Sequence, residues 1–237
     1  MKPIIDLHCH TIASGHAYST LKENIDEAKE KGLKYLGVSD HAPEMPGSTH
    51  PFYFGNLGVI KEEINGIKIL KGIEANIIDF YGNLDIPEDV VGKLDYVIAS
   101  LHPPCISPGS KEENTKAVLC AMENEEVKII GHLDDSRYPV DYEKVVKKAK
   151  ETNTLLEINN SSLRPNSFRV GATQNAQELL SLCKKYNVKV ILGSDAHIYY
   201  QVGAFENCER ILKEVDFPGN LVVNYSEEYI KEIFFTK

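Results

Sequence analysis

Short apolar runs recur along this chain, and most of them close on a side chain able to bind a metal ion. Pro3 to Leu7 leads into His8-Cys9-His10, Leu33 to Ser39 into Asp40-His41, Gly66 to Ile73 into Glu74, and Leu94 to Ser100 into Leu101-His102. Val127 to Ile130 leads into Gly131-His132, and Val188 to Leu192 into Gly193-Ser194-Asp195-Ala196-His197. With Thr154 to Ile158 these make seven predicted buried strands. Helices are expected over Leu21 to Lys31, capped by Ser19 or Thr20, and over Glu112 to Asn124, Asp141 to Glu151 and Thr173 to Tyr186. After the last strand come a helix over Phe205 to Val215, a short apolar run Asn220 to Val223 and a closing helix over Ser226 to Phe235. Strands alternating with helices predict a parallel sheet whose right-handed crossovers put every C-terminal strand end on one side. In an open sheet the metal-binding types would be strung along an edge, whereas in a closed barrel they meet at one mouth. The expected fold is therefore an α/β barrel. A doubly wound open sheet is the alternative, and its nucleotide-binding form lacks support because no Gly-rich loop follows the first strand.

The stretch Asp6 to His16 carries the densest signal. Residues two apart on a strand share a face, so His8 and His10 emerge side by side, and the bend at Ser14-Gly15 can bring His16 back to them. A lone histidine more often packs or hydrogen-bonds, but Asp-x-His-x-His directly after an apolar strand points to metal. The candidate ligands are His8, His10, His16, His41, Glu74, His102, His132, Asp195 and His197, which take in seven of the eight histidines. Nine ligands exceed the needs of one ion and suit three divalent ions sharing the Glu74 carboxylate. Imidazole with carboxylate suits zinc, and also manganese or iron. The remaining histidine, His50, lies in a Pro- and Gly-rich loop from Ala42 to Asn56 that reads as a lid or a plain surface loop.

Composition narrows the partners. Lys and Arg number 26 against 35 Asp and Glu, a net charge of -9 that disfavours long nucleic acid. No basic-then-apolar leader opens the sequence, and no apolar run approaches the roughly 18 residues a membrane span needs. A cytoplasmic protein is expected, with its five scattered cysteines reduced. With no Pro/Gly/Ser-rich linker, residues 1–237 are expected to form one domain. Oligomeric state leaves no trace in the sequence.

Three divalent ions hold more charge than Glu74, Asp195 and a bridging hydroxide return. The site then wants a small substrate with several anionic oxygens, and a phosphate monoester fits. The ions would lower the pKa of a bridging water towards ~7 and hold the phosphoryl oxygens during in-line attack. Arg164 and Arg169, with Arg137 as a third candidate, could clamp remaining oxygens; two of the chain's four arginines sit in the loop Asn159 to Val170.

On these residues the chain resembles the PHP family, named for polymerase and histidinol phosphatase. The resemblance rests on Asp6-Leu7-His8-Cys9-His10-Thr11, Ser39-Asp40-His41, Gly72-Ile73-Glu74-Ala75-Asn76 and Gly193-Ser194-Asp195-Ala196-His197. Ser14-Gly15-His16-Ala17-Tyr18-Ser19-Thr20 and Glu157-Ile158-Asn159-Asn160-Ser161-Ser162 make it similar to the small bacterial phosphatases with a trinuclear zinc site. The resemblance implies a distorted (β/α)7 barrel and phosphoesterase activity. It also implies that His8, His10, Glu74 and Asp195 share one ion, that Glu74 bridges to a second held by His102 and His132, and that His16, His41 and His197 hold the third. Leu133-Asp134-Asp135 stands where that branch usually has Pro-Gly, and Pro103-Pro104 follows His102, so the rim departs from the pattern while the ligands stay.

Within this expectation a histidinol-phosphate phosphatase is the sharpest variant, and a polymerase-associated exonuclease a lesser one for a chain with no polymerase and no basic character. An amidohydrolase would commonly bridge its ions with a modified lysine where this chain has Glu74. A non-catalytic metal-binding or metal-sensing barrel is the reading from outside enzymology, although structural zinc sites are usually closed four-ligand cages.

Overall fold

The computed structural model describes residues 1–87, 89–90 and 92–235. In chain order the elements are β1 (Ile5–Asp6), α1 (Leu21–Glu30), β2 (Tyr35–Val38), α2 (Pro51–Gly55), β3 (Glu63–Ile64), β4 (Ile67–Asn76) and β5 (Tyr96–Ser100). They continue with α3 (Lys111–Ala121), β6 (Val127–Ile130), α4 (Tyr142–Thr152), β7 (Leu155–Asn159), α5 (Ala172–Tyr186), β8 (Val190–Gly193), α6 (Glu206–Glu214) and α7 (Glu227–Phe234). Seven strands pair in parallel in the order β1-β2-β4-β5-β6-β7-β8 and form a nearly closed, distorted TIM-like barrel. The distortion is local. Between β2 and β4 lie one five-residue helix, α2, and one 3-10 turn, Leu57–Val59, and between β4 and β5 there is no helix among the described residues, where a regular barrel would place full crossover helices.

The seam between β1 and β8 has no continuous ladder and is closed by other means. Cys9 and Ala196 form a parallel bridge, with His10 N donating to Ala196 O at 2.9 Å. Below it the buried Asn224 side chain donates from Nδ2 to the carbonyls of Ile5 and Leu192, both at 2.9 Å, and accepts from Leu192 N at 2.7 Å. One amide thus satisfies the edges of both end strands, which buried backbone groups require.

Two apolar layers hold the barrel. The outer one lies between strands and helices, where α1 buries Ile25 and Ala28 and α4 buries Val145, Val146 and Ala149. The inner one fills the barrel base with Ile5, Leu7, Tyr35, Leu70, Tyr96 and Ile98, and α7 closes it with Ile230 and Phe234. Tyr96 is the central filler, donating from its hydroxyl to Leu7 O at 2.7 Å. Gly37 and Gly72 make its room, since a Cβ on either would fall 2.1 Å or 2.3 Å from the tyrosine.

The predicted elements are present with small shifts. Thr20, not Ser19, caps α1, in a reciprocal pair with Glu23. The third predicted strand runs on to Asn76, so Glu74 sits inside β4, paired with Ile98, and not beyond its end. A hairpin partner, β3, joins β4 through Asn65-Gly66 with φ of 55° and 84°, the left-handed pair a two-residue hairpin turn requires. His50 caps α2, its ring nitrogen accepting from Phe52 N at 3.2 Å. Asn220 to Val223 forms 3-10 turns and not a strand, touching β8 through a Val190 to Val222 bridge. All five cysteines are free, and no described helix is long and apolar enough to cross a membrane.

Candidate metal centre

Every strand of the barrel delivers polar side chains to the same mouth, and Glu74 stands at their centre. Its Oε1 lies 3.3 Å from His8 Nε2, 3.2 Å from His102 Nε2 and 2.9 Å from His132 Nε2. Its Oε2 lies 3.5 Å from His10 Nε2 and 2.7 Å from His41 Nδ1. Asp195 Oδ1 completes the inner group at 3.6 Å from His8 Nε2, 3.4 Å from His10 Nε2 and 3.5 Å from His197 Nδ1. His16 is more exposed, and its ring centre lies 4.9 Å from that of His41 and 4.8 Å from that of His197. All nine side chains expected from sequence therefore meet in one place.

Their grouping is less simple than the expected division into three sets. Ligand atoms approach within 4.8 Å of one another in four trios: His10, His41 and His197; His8, His132 and Asp195; His8, His10 and Glu74; His41, Glu74 and His102. His10 enters a trio with His41 and His197, while His16 enters none.

The imidazoles are held from behind. A carboxylate can only accept, so His8 Nδ1 donates to Glu157 Oε1 at 2.6 Å. Asn76 presents Oδ1 to His102 Nδ1 at 2.7 Å, because its Nδ2 is spent on Asp85 at 2.7 Å. His197 Nδ1 donates to the Asp195 carbonyl at 3.0 Å. Ser14 Oγ donates to Asp40 Oδ1 at 2.6 Å, leaving its lone pairs for His10 Nδ1 at 3.3 Å. Partners of this kind fix the tautomer and aim the other nitrogen, as they do around protein-bound metals. Glu157 does more than hold His8, since its Oε2 accepts from His132 N at 2.9 Å and from Asn159 Nδ2 at 3.1 Å. Gly193 makes this possible, for a Cβ there would lie 1.9 Å from Glu157 Oε1. His132 and Asp195 both sit at positive φ, 22° and 55°, strained backbone of the sort that concentrates at functional sites.

Electrostatics and burial together make the donor set fit divalent cations. Burial disfavours charge on His8, but Glu157, Glu74 and Asp195 outweigh it and hold the imidazole well above its ordinary value. Burial would raise Glu74, yet His8, His102 and His41 hold it well below the usual carboxylate range. Asp195 is likewise pulled well down against its burial by His8 and Arg169. Burial, with His197 and His41 adding, pushes His10 well down, and burial takes His102 to about 4, so both rings are neutral donors at pH 7. Most telling are the buried atoms with no hydrogen-bond partner among the described residues: His8 Nε2, His10 Nε2, both nitrogens of His41 and Glu74 Oε2. Such orphaned atoms are costly unless something binds them, and imidazole nitrogens converging with carboxylate oxygens match a divalent ion of the zinc, manganese or iron type.

Above the cluster opens a cavity of about 700 Å³ whose wall includes His16, His41, His102, Asp195 and His197. Arg137, Arg164 and Arg169 line the same cavity. Buried Arg169 commits Nη1 to Asp195 Oδ2 at 3.0 Å, Ser162 Oγ at 2.9 Å and Asn159 Oδ1 at 3.3 Å. Arg137 is held by Asp135 through Nε at 2.8 Å and Nη2 at 2.5 Å. Arg164 makes no side-chain hydrogen bond, ion pair or ring contact among the described residues. The candidate ligands expected from sequence converge here, whereas the supports Glu157, Asn76, Ser14 and Asp40 all stood inside quoted motifs without being given a role.

Comparison with known proteins agrees with this geometry. The family model described as PHP domain matches residues 6–167. A probable phosphatase of Clostridium novyi is 50% identical over 228 residues, covering 96% of this chain and 93% of its own length. A probable phosphatase of Clostridium acetobutylicum is 48% identical over 237 residues, covering 100% of this chain and 96% of its own. Among solved structures, histidinol phosphate phosphatase from Lactococcus lactis, complexed with zinc, L-histidinol and phosphate, superposes with a TM-score of 0.66. It is 20% identical, over 92% of this chain and 95% of that one, and so speaks to the fold. By family match, by full-length relatives and by the barrel itself, the chain belongs to the PHP domain family.

Proposed function

We propose that this chain is a metal-dependent phosphatase acting on small phosphate monoesters, with its whole length, residues 1–237, serving as one PHP barrel domain. The observation that carries the reading is the set of orphaned buried donors on His8, His10, His41 and Glu74 beneath an open cavity walled by arginines. A purely structural metal site would be closed. The relatives named as probable phosphatases, and a fold neighbour holding zinc and phosphate, support the same activity.

In this reading His8, His10, Glu74 and Asp195 hold one divalent ion, Glu74, His102 and His132 a second, and His16, His41 and His197 a third, zinc being favoured by the donor set. Bound ions there supply a nucleophilic water at neutral pH and neutralise the phosphoryl oxygens. The chain's own residues do the rest. Glu74 offers one oxygen to each half of the cluster, and Asp195 is kept ionised and aimed by Arg169. Arg169 also places positive charge where the phosphoryl group would lie against Asp195. A cavity of about 700 Å³ suits a small ester better than a polymer.

The test is metal content per purified chain, paired with hydrolysis of p-nitrophenyl phosphate before and after chelation and metal replacement. About three ions per chain, with turnover that falls and returns with metal, is expected. One ion or none in metal-replete protein, with no turnover, would overturn the reading in favour of a binding protein.

A further inference from the structure

The cavity above the cluster is cationic in a way the overall charge of -9 does not suggest. Its wall holds three guanidiniums and two carboxylates, and both carboxylates are already occupied. Asp135 takes Arg137 in a forked contact, with Nε at 3.0 Å and 2.8 Å from its two oxygens, and Asp195 takes Arg169 at 3.0 Å. The two arginines are fixed further by Phe168, whose ring centre lies 5.4 Å from the Arg137 guanidinium carbon and 5.1 Å from that of Arg169. Phe168 is 68% exposed, an unusual position for a phenylalanine, and both cations lie against its ring. Arg164 is left over. It lies on the same loop, lines the same cavity, and has no side-chain partner among the described residues.

We infer that the substrate carries a second anionic group on its leaving-group side, a carboxylate or a second phosphate, and that Arg164 binds it. The inference rests on the phosphatase reading above and deepens it. A guanidinium free to fork onto planar oxygens is the natural receptor for such a group. An ammonium-bearing leaving group meets the opposite situation, with no unoccupied carboxylate on the described wall and a bare cation facing it. Met45, Leu101 and Pro103 give the intervening carbon skeleton an apolar surface to lie on. Phosphorylated amino alcohols, histidinol phosphate included, are therefore poor substrates, and phosphorylated hydroxy acids or bisphosphates good ones.

The experiment uses metal-loaded protein and four probes: p-nitrophenyl phosphate as reference, 3-phosphoglycerate, fructose 1,6-bisphosphate and histidinol phosphate. At least one of the two anionic esters should exceed histidinol phosphate in kcat/KM by about tenfold or more. Which anionic ester leads separates a carboxylate receptor from a phosphate receptor. In Arg164→Glu the order should invert, through KM, with histidinol phosphate overtaking both. Calorimetric binding of phosphonoacetate against 2-aminoethylphosphonate checks the same preference without turnover. Wild-type preference for histidinol phosphate overturns the inference, as does an Arg164→Glu loss equal for all four probes, which would assign Arg164 to the phosphoryl group itself. No turnover of any probe, p-nitrophenyl phosphate included, would instead overturn the phosphatase reading.

Discussion

At the base of the barrel Leu7, Tyr35, Tyr96 and Ile98 fill the interior with apolar surface, while at the mouth the same strands bury Glu74, Asp195 and a ring of histidines. The base satisfies itself: the Tyr96 hydroxyl donates to Leu7 O and the Tyr35 hydroxyl to Glu227 Oε1. The mouth does not. Of the seven buried side-chain polar atoms lacking a hydrogen-bond partner among the described residues, five belong to His8, His10, His41 and Glu74. Each such atom costs about 1–3 kcal/mol in a folded protein. Stability is thus concentrated at one end of the strands and spent at the other, and a ligand that binds only the folded chain would return it.

That contrast predicts that the two ends fail differently. Glu74→Ala removes the carboxylate that faces both halves of the cluster, so two ions should leave together and turnover should drop to background, while the chain still folds on its base. Elemental analysis with circular dichroism checks this, and loss of a single ion would remove the bridging role. Ile230→Ala, in the helix that closes the base, should do the reverse. Ile230 is fully buried, so stability should fall by about 2–5 kcal/mol in urea unfolding. Metal per folded chain should stay unchanged, and metal loss from that variant would show the two ends to be coupled.

The same contrast explains what the sequence made legible. The base and the strand order are repetitive apolar signal, and seven runs with their helices sufficed for the barrel. The candidate ligands other than His16 were legible because they stand at or near strand ends, and the barrel converts that linear regularity into convergence. Glu74 inside β4 was misplaced by a few residues, since a charged side chain within a strand reads as its end unless something inside the barrel receives it. Asn65-Gly66 carried a usable hairpin signal. Asn224 and Glu157 carried none for the roles they play: Asn224 closes a seam 219 residues from Ile5, and Glu157 reaches His8 across 149 residues. Polar contacts of that span depend on which strands become neighbours, which no local pattern encodes.

Glu157 also gives the finest division between the two ends, because it supports the mouth without touching the cavity. Its two oxygens serve three donors: Oε1 takes His8 Nδ1, and Oε2 takes His132 N and Asn159 Nδ2. A glutamine in its place keeps the shape but offers one acceptor oxygen. If that oxygen faces His8, the amide hydrogens face the His132 N–H; if it faces His132, His8 loses its acceptor and its tautomer. Either way one ligand is no longer aimed. Glu157→Gln should therefore weaken metal binding by about 10–100-fold in chelator competition. The thermal midpoint of the metal-free protein should move much less than in Ile230→Ala. Unchanged metal affinity would mean that Glu157 merely packs beneath the site, and that the orphaned donors are aimed by the strands alone.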